Sequence, residues 1–384
     1  MTDNMQITSP VGESFQIKKG EPLKNMLNLE TLRNSALIVK SVYDSFPVEE
    51  FVDSVLDETW EGLELKARSR QVTLNLRKYL PQDYREALDI LVKVAADYIS
   101  GQFVIGFSFP DFVEVYGQDE SNWDISINAL EVFTTLWSSE MAVRPFIVKN
   151  EERMMAQMLA WSKHENEHIR RLSSEGCRPA LPWAMALPAF KKDPTPILPI
   201  LEQLKTDPSM YVRKSVANNL NDISKTRPDV VRKVAFDWYG ENKHTDWIVK
   251  HGCRSLLKKA DEEILTLFGL NDDVNVSVEG FALDANSVAI GNSLGFSFVL
   301  KSTDSAKARL EYAIDFVKSG GKTSRKIFKI SEIALKANEK RQYTKNHSFA
   351  DLSTRKHYPG IHTITIIVNG VEKEKVDFEV KEKE

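Results

Sequence analysis

A short basic segment occurs three times in the middle of this chain, as Ile169-Arg170-Arg171, Val212-Arg213-Lys214 and Ile248-Val249-Lys250. Each copy is predicted to open an amphipathic helix in which a basic residue is followed, one and two turns later, by further polar or charged residues. The three trios are Arg171, Glu175 and Arg178; Lys214, Asn218 and Asp222; and Lys250, Arg254 and Lys258. Spacings of i, i+4 and i+7 or i+8 put each trio on a single helix face.

The copies recur at offsets of 43 and 36 residues. This period is typical of helical-pair solenoids of the HEAT type, in which stacked inner helices form one continuous concave surface. The sequence therefore predicts a mainly α fold built as an α-α superhelical HEAT-like repeat solenoid. A concave surface lined mainly by arginine and lysine, with isolated carboxylates at its centre, indicates a polyanionic ligand that carries a reactive cation.

The charge of the chain is unevenly distributed along its length. At 384 residues, of which 42% are hydrophobic and 28% charged, the chain can bury one or two ordinary cores, and we expect two domains. The formal net charge is −4, but residues 1–140 carry about −11, residues 141–260 about +8 and residues 301–360 again about +8. Because a polyanion responds to the local field, the positive middle segment is a candidate nucleic-acid interface.

Cysteine usage and hydropathy indicate a cytosolic protein. Cys177 and Cys253 both fall inside helical repeat segments, which does not resemble a disulfide framework. No stretch approaches the roughly 20 consecutive apolar residues of a membrane span. The start of the chain, Met1-Thr2-Asp3-Asn4, lacks the basic and apolar regions of a signal peptide. A cytosolic location is therefore expected.

One string formally matches a metal-binding motif. His164-Glu165-Asn166-Glu167-His168 has the HExxH spacing of zinc metalloproteases, whose two histidines share one helix face. No third ligand follows at a familiar distance, and a solvated helix start is the competing interpretation. We expect neither a metal nor another cofactor, and a metal-dependent hydrolase at this string is the alternative that a chelator would expose.

The spacing of apolar residues divides the chain into three parts. Residues 1–20 are polar and are predicted to form a flexible N-terminus. Apolar residues three and four apart predict helices over 21–268. After Gly269 the period changes to two, and turn signals such as Asn369-Gly370 separate the runs. This pattern predicts a C-terminal all-β sandwich of the immunoglobulin-like type over residues 272–382.

Four acidic or aromatic residues lie within or beside the basic stripe, namely Glu140, Glu175, Trp183 and Asp222. Glu140 precedes an Arg-Pro pair that should bend or end a helix, and Glu175 lies between two arginines. Each residue also has a purely structural interpretation. Glu175 can bridge its arginines for only a few tenths of a kcal/mol, Trp183 can pack in a proline-rich loop, and Asp222 can end its helix without a partner.

Longer strings around these positions carry a family resemblance. They are Ser139-Glu140-Met141-Ala142-Val143-Arg144-Pro145-Phe146, Ile169-Arg170-Arg171-Leu172-Ser173-Ser174-Glu175-Gly176-Cys177-Arg178-Pro179, Leu181-Pro182-Trp183-Ala184 and Val212-Arg213-Lys214-Ser215-Val216-Ala217-Asn218-Asn219-Leu220-Asn221-Asp222. Together they resemble the AlkC branch of bacterial DNA alkylation-repair glycosylases, which are HEAT-like solenoids. The resemblance covers about residues 20–268. Some members of that branch carry a C-terminal immunoglobulin-like domain, which agrees with the independent β prediction.

The resemblance implies excision of cationic N-alkylated bases from double-stranded DNA, with 3-methylcytosine, 1-methyladenine and 3-methyladenine as substrates. By position, Glu140, Glu175 and Asp222 match the acidic residues of the family's active site, and Trp183 matches its aromatic residue. Arg171 and Arg178 are expected to contact the neighbouring phosphates. The full set of expected DNA-binding residues is Arg171, Arg178, Arg213, Lys214, Lys250, Arg254, Lys322, Arg325 and Lys326.

This chemistry is consistent with the residues. Methylation of a ring nitrogen makes the base a cationic leaving group, so the glycosidic bond breaks through an oxocarbenium-like sugar. Glu175 is expected to face that sugar, Glu140 and Asp222 to add negative potential or position water, and Trp183 to pack on the sugar face. Because the base departs neutral, no strong general acid is needed and uracil should be refused. The arginines should lower the pKa of the carboxylates, which keeps them ionised.

Other features narrow the expected mechanism. We find no cluster of aromatic residues that would form a tight pocket for a flipped base, and the resemblance implies that the lesion is engaged from the backbone side. No isolated lysine marks a lyase nucleophile. Lys322, Arg325, Lys326 and Lys329 suggest that the β domain closes over the DNA as a clamp. A monomer is the simplest expectation, and a non-catalytic HEAT-repeat scaffold that binds DNA or protein is the alternative function.

Overall fold

The computed structural model describes residues 4–8, 14–18, 21–97, 104–271, 275–352 and 355–383. The chain divides into two compact units. The first consists of Met1–Arg227 with Trp238–Gly252, and the second consists of Pro228–Asp237 with Cys253–Glu384.

The helical part of the chain begins at residue 29. Its helices are α1 (Leu29–Val42), α2 (Val48–Val55), α3 (Leu65–Tyr79), α4 (Tyr84–Asp97), α5 (Phe109–Tyr116), α6 (Trp123–Thr134), α7 (Val143–Lys149), α8 (Glu151–Trp161), α9 (Glu167–Glu175), α10 (Pro188–Lys192), α11 (Leu198–Leu204), α12 (Met210–Ile223), α13 (Pro228–Trp238), α14 (Lys243–Gly252), α15 (Arg254–Lys258) and α16 (Glu262–Leu267). Asparagine starts several of them: Asn28, Asn150 and Asn166 accept a hydrogen bond from a backbone N–H in the first turn of α1, α8 and α9, which satisfies a donor that the helix leaves free.

The three repeated segments lie on helices that pack side by side. α12 contacts α9 on one side and α14 on the other. Leu172, Val216 and Ile248 are fully buried. Gly252 approaches Leu220 so closely that a Cβ at Gly252 would lie 3.0 Å from the Cβ of Leu220, so the last turn of α14 packs directly on α12. The predicted stacking of helical repeats is confirmed.

Two of the three predicted trios do not lie on a single helix, because the helices end earlier than predicted. α9 ends at Glu175, so Arg178 lies in the turn that follows, where its N–H still donates to the Glu175 carbonyl at 3.2 Å. α14 ends at Gly252 and α15 begins at Arg254. The third predicted trio is therefore wrong as a single helix face, because Lys250 lies on a different helix from Arg254 and Lys258.

The C-terminal strands form two sheets that share one core. They are β3 (Val276–Leu283), β4 (Ser287–Ala289), β5 (Ser293–Ser302), β6 (Ala306–Val317), β7 (Thr323–Leu335), β8 (Lys340–Ser348), β9 (Gly360–Val368) and β10 (Val371–Lys381). One sheet has the order β4-β10-β9-β6-β7 and the other β3-β5-β8, and β4 with β10 is a parallel pair while the other pairs are antiparallel. Alternating residues such as Phe296, Phe298, Ile364 and Ile366 fill the core between them, which confirms the predicted all-β immunoglobulin-like domain.

The predicted turn at Asn369-Gly370 joins β9 to β10. Both residues have positive φ angles, 50° and 83°, as a two-residue type I′ hairpin requires. Val368 and Val371 pair directly across it. A Cβ at Gly370 would lie 2.5 Å from the Cβ of Ala260, so the hairpin packs against the turn between α15 and α16.

Helical residues of α13, α15 and α16 fall in the same compact unit as the β strands. The domain boundary at residue 268 stays a prediction. Arg232 of α13 donates to Asp261 at 2.9 Å and lies 3.0 Å from Glu263. Both acids lie at the start of α16, so ion pairs join two helices of the second unit.

Near the N-terminus, β1 (Asn4–Thr8) and β2 (Ser14–Lys18) pair as an antiparallel hairpin. The flexibility predicted for residues 1–20 stays a prediction, and residues 1–3, 9–13 and 19–20 lie outside the described residues. In the described parts of the chain, no helix is long and apolar enough to cross a bilayer.

Candidate active site

Arg171 lies between two of the predicted acids. Its Nη1 donates to Oε2 of Glu140, and its Nη2 lies 3.4 Å from Oε1 of Glu175. The hydroxyl of Ser138 donates to the same Glu140 oxygen at 2.7 Å. Because the side chain of Arg171 is only 14% exposed, its guanidinium is directed at the carboxylates rather than at solvent.

Arg178 continues this arrangement towards the third acid. Its Nη1 donates to Oε1 of Glu175 at 2.6 Å, and its Nε donates to Oδ2 of Asp222 at 2.8 Å. Lys225 donates to the other oxygen of Asp222, also at 2.8 Å. The site is therefore an ion-pair chain in which acids and cations alternate: Glu140, Arg171, Glu175, Arg178, Asp222 and Lys225.

The acids of the ion-pair chain differ in exposure. Glu175 is 5% exposed and Asp222 3% exposed, whereas Glu140 is half-buried. Burial opposes the charge of Arg171, but Glu140 and Glu175 outweigh it and raise the pKa of Arg171. Burial is likewise outweighed at Arg178, whose pKa is raised by Glu175 and Asp222. Both guanidinium groups therefore remain charged and keep compensating the buried carboxylates.

The glutamates and the aspartate also differ in how many of their carboxylate oxygens already accept a hydrogen bond. Among the described residues, the bonds to Glu175 all end on Oε1 and those to Glu140 all end on Oε2. Both oxygens of Asp222 are occupied. Glu175 and Glu140 thus each keep one oxygen for a ligand, and Asp222 holds the arrangement together.

Polar contacts between α9 and α12 fix the spacing of the acids. The hydroxyls of Ser174 and Ser215 lie 2.6 Å apart, and Asn219 donates to the Ser174 carbonyl at 2.8 Å. All three residues are buried. Because Ser174 directly precedes Glu175, these bonds hold the end of α9 against the helix that carries Asp222.

Trp183 lies in the loop between α9 and α10 and is 69% exposed. Its φ angle is 63°, a left-handed conformation that is costly for a bulky residue. Lys66 of α3 donates to the carbonyl of Trp183 at 2.8 Å. The indole therefore lies at the surface, and its position is set by the backbone conformation and the bond from Lys66 rather than by packing in the core.

Trp183 and Glu140 line the same cavity, which has a volume of about 220 Å³. Phe107, Pro110 and Trp137 supply apolar walls. The sequence showed no cluster of aromatic residues, because these rings come from separate parts of the chain. Glu175 and Asp222 do not line this cavity. The structure thus joins the four predicted residues in two ways, through the ion-pair chain and through this cavity.

The predicted DNA contacts of the first unit fall into two groups. Arg171 and Arg178 are bound by the acids, and Arg213 is 7% exposed and donates to the carbonyls of Asp207 and Pro208, both at 2.7 Å. These three guanidinium groups are internal partners rather than exposed cations. Lys214 is exposed on α12 and Lys250 is half-buried on α14.

The second unit gathers the remaining predicted cations. Lys322, Arg325 and Lys326 are exposed on and before β7, and Arg254 is half-buried on α15. Arg325 lies 2.6 Å from Glu372. An open cleft of about 470 Å³ is lined by Ser255, Lys258, Lys259, Arg325, Lys326, Ile327 and Phe328, so β7 and α15 share one basic surface.

Three residues that contact the site were not predicted from the sequence. Lys225 follows Asp222 by three residues, a spacing that could have indicated the pair. Tyr211 lies 5.0 Å from the Arg171 guanidinium, which is positioned over its ring, and burial raises the pKa of this phenol. Arg144 belongs to the string Ser139–Phe146 that carries the family resemblance. Its contacts are with backbone carbonyls, and no sequence pattern predicts such contacts.

The HExxH string does not form one helix face. His164 precedes α9, and its Nδ1 accepts a hydrogen bond from the Asn166 N–H at 2.9 Å, whereas His168 lies within the helix and packs on Tyr211. In the described ranges, no three metal-ligating side chains come together. Cys177 and Cys253 are buried thiols, and burial raises the pKa of each to about 12.

Comparisons with known proteins identify the family. A family model described as "DNA alkylation repair enzyme" matches residues 115–262, and a model of the C-terminal Ig-like domain of the uncharacterised protein YhaZ matches residues 277–382. YhaZ of Bacillus subtilis (strain 168) is 50% identical over 358 residues, which are 93% of this chain and 99% of that protein.

A solved structure has the same fold over nearly the whole chain. It is the alkylpurine DNA glycosylase AlkC of Pseudomonas fluorescens bound to DNA containing an abasic site analogue. The TM-score is 0.88 at 37% identity, and the match covers 94% of this chain and 100% of that one. The chain therefore belongs to the AlkC-type family of bacterial DNA alkylation-repair glycosylases with a C-terminal immunoglobulin-like domain.

Proposed function

We propose that this protein is a monofunctional DNA glycosylase of base excision repair that hydrolyses the N-glycosidic bond of cationic N-alkylated bases in double-stranded DNA. The observation that carries the proposal is Glu175, a carboxylate that is 5% exposed, bound on one oxygen by two guanidinium groups and open on the other. In a protein that only binds DNA, a carboxylate in the groove that attracts the phosphates would lower DNA affinity.

The reaction requires stabilisation of positive charge on the sugar. As the alkylated base leaves neutral, charge moves to an oxocarbenium-like deoxyribose. The open oxygen of Glu175 faces that charge, and the open oxygen of Glu140 orients the attacking water. Asp222 acts through Arg178, since both its oxygens are already bound. Trp183, exposed beside Glu140, packs on the sugar.

The substrates that suit this site are 3-methylcytosine, 1-methyladenine and 3-methyladenine, because their cationic bases leave without a general acid. The base stays in the helix rather than entering a pocket. The rings of Phe107 and Trp137 in the nearby cavity are tilted by 58° with centroids 6.3 Å apart, so they do not form the parallel walls between which a flipped base stacks.

Exposed and half-buried cations carry the DNA contacts in this proposal. Lys214 and Lys250 bind phosphates along the repeats, and Lys322, Arg325 and Lys326 bind DNA from the β domain together with Arg254. Arg171, Arg178 and Arg213 support binding indirectly, because their guanidinium groups already bind acids or carbonyls of this chain. The enzyme acts as a monomer in the bacterial cytosol, without a metal or other cofactor.

The decisive experiment is single-turnover base release from a duplex with one 3-methylcytosine, in the presence of EDTA, for the wild type and Glu175→Gln. Loss of one transition-state contact predicts a rate at least about 100-fold lower in the variant, with DNA affinity retained or increased. Glu152→Gln, an exposed acid of α8, is the matched control and should release base at the wild-type rate.

Two outcomes would contradict the proposal. If the wild type releases no base from 3-methylcytosine, 1-methyladenine or 3-methyladenine duplexes while DNA stays bound, the non-catalytic scaffold replaces the enzyme. If EDTA abolishes release, the reaction depends on a metal and the electrostatic mechanism fails.

A further inference from the structure

Arg144, at the start of α7, is a buried guanidinium without an acidic partner. The residue is 0% exposed, and no carboxylate of the described residues lies within ion-pair distance of it. Burial lowers the pKa of Arg144 to about 10. Burying an uncompensated charge is costly, so a role for this side chain should be sought in what it binds.

All the hydrogen bonds of Arg144 go to one segment of backbone. Its Nη1 donates to the carbonyls of Gly176 at 2.8 Å and Arg178 at 2.9 Å, and its Nε donates to the carbonyl of Met185 at 2.6 Å. The first carbonyl lies one residue after Glu175, where α9 ends and its carbonyls lack helical partners. The last lies two residues after Trp183. One guanidinium thus ties the end of α9 to the far side of the loop.

The loop has few bonds of its own. Leu187 donates to the Pro179 carbonyl at 3.2 Å, and Ala184 donates to the Leu181 carbonyl at 3.4 Å. Trp183 has a φ angle of 63° and is 69% exposed. A left-handed conformation at a bulky residue persists only where the surroundings impose it. Burial does not hold the exposed indole.

Lys66 supplies the second restraint. It donates to the carbonyl of Trp183 itself at 2.8 Å and, like Trp183, lines the cavity beside Glu140. The strained residue is therefore bound at its own carbonyl by Lys66 and two residues later by Arg144.

We propose that Arg144 and Lys66 are positioning residues that set the place of Trp183 relative to Glu175. They act on the backbone of the loop and touch no reacting atom. The inference rests on the proposed function, in which both Trp183 and Glu175 act on the same deoxyribose.

A double-mutant cycle tests the proposal through Lys66, whose exposed side chain can be changed without disturbing the core. Loss of a charged hydrogen bond predicts that Lys66→Met lowers the single-turnover rate about tenfold. In a Trp183→Ala background the same change should cost less than about twofold, because there is no indole left to misplace. Lys40→Met is the matched control, since Lys40 donates to the Asp44 carbonyl at 2.9 Å on α1.

Hydrogen exchange gives a readout that does not depend on catalysis. The amides of Ala184 and Leu187, which donate hydrogen bonds within this loop, should exchange faster in Lys66→Met and faster still in Arg144→Lys, with the helices of the first unit unchanged. Equal loss of rate in both backgrounds, or unchanged exchange in this loop, would overturn the proposal. If the wild type releases no base, the proposed function fails, while the exchange result still decides whether these side chains hold the loop.

Discussion

Glu175 is a buried carboxylate whose burial costs little folding free energy, because neighbouring cations compensate its charge. Moving a charged carboxylate out of water is expensive unless it is paired, and here Arg171 and Arg178 both approach the same oxygen. The remaining oxygen is then a fixed negative charge whose orientation is set before any ligand arrives, which suits stabilisation of a sugar cation.

Arg171 and Lys214 should therefore differ in how they affect DNA binding. Arg171→Met leaves Glu140 and Glu175 short of a cation, so base release should slow by at least about tenfold. Its DNA affinity should keep the wild-type dependence on salt, because we expect Arg171 to stay bound to Glu140 and Glu175 rather than to a phosphate. Lys214→Met should instead reduce the slope of log affinity against log salt by about 1. Fluorescence anisotropy across a salt series measures both slopes.

The opposite pattern would restore the phosphate contact that the sequence predicted for Arg171. A salt slope that falls by about 1 in Arg171→Met but not in Lys214→Met would show that the ion pair opens when DNA binds. Lys40→Met, far along the chain on α1, is the control and should alter neither slope.

The sequence identified the acids of this site but could not reveal how they are paired. Glu140 pairs with an arginine 31 residues away, and Asp222 with an arginine 44 residues away. Both separations are about one repeat, so the partners meet only when neighbouring helices stack. Spacing within one helix predicts a shared face, but it does not tell which adjacent helix a side chain reaches.

At the scale of elements, the end of α9 depends on a close approach to α7. A Cβ at Gly176 would lie 2.6 Å from Cγ2 of Val143 and 3.0 Å from the terminal carbon of Met158. Helix periodicity predicted the helix itself, because apolar residues recur on one side. It could not predict that Arg178 lies beyond the end of α9 or that Lys250 and Arg254 lie on two different helices, because apolar spacing does not mark where a helix ends.

Gly176→Ala should displace the last turn of α9 and with it Glu175. We expect a loss of about 1–3 kcal/mol in the free energy of unfolding, as overpacked cores show, and slower base release in protein that is still folded. Urea unfolding followed by tryptophan fluorescence measures the first, and single-turnover kinetics measures the second. The double variant Gly176→Ala with Val143→Ala makes room for the added methyl and should recover part of the rate. Full activity in Gly176→Ala would mean that the position of Glu175 tolerates this shift.

At the scale of the whole molecule, the two units can be followed separately. The seven tryptophans all lie between residues 60 and 247 and belong to the first unit, so intrinsic fluorescence reports on the helical repeats. The second unit contains the β sandwich, whose alternating pattern was predicted correctly. Its buried histidines were not predicted, because histidine in an alternating strand gives no sign of whether it faces the core.

The three histidines of the second unit form a cluster with phenylalanines inside the sandwich. His347, His357 and His362 are 6%, 6% and 0% exposed, and Phe349 contacts all three rings. Burial lowers the pKa of His347 to about 4 and lowers the pKa of the other two. Arg355 is a second cause of the lowered pKa of His347 and of His357, while Asp351 partly opposes it at His357. The cluster is therefore neutral in the folded protein at neutral pH.

This neutrality makes the second unit sensitive to acid. An unfolded histidine has a pKa of about 6.5. Below that pH the unfolded chain therefore binds protons that the folded cluster does not bind. The free energy of unfolding of the second unit should then fall as the pH drops from about 6.5 towards about 4. Urea titrations at pH about 7.5, 6 and 5, with protection of β9 read by pulsed hydrogen exchange, measure this loss, while tryptophan fluorescence follows the first unit in the same samples. In His357→Phe the new ring would pack where the imidazole contacts Phe316 and Phe349. The variant lacks one group that binds a proton only in the unfolded chain, so its free energy of unfolding should depend less on pH. Equal slopes in variant and wild type would mean that the acid sensitivity arises outside this cluster.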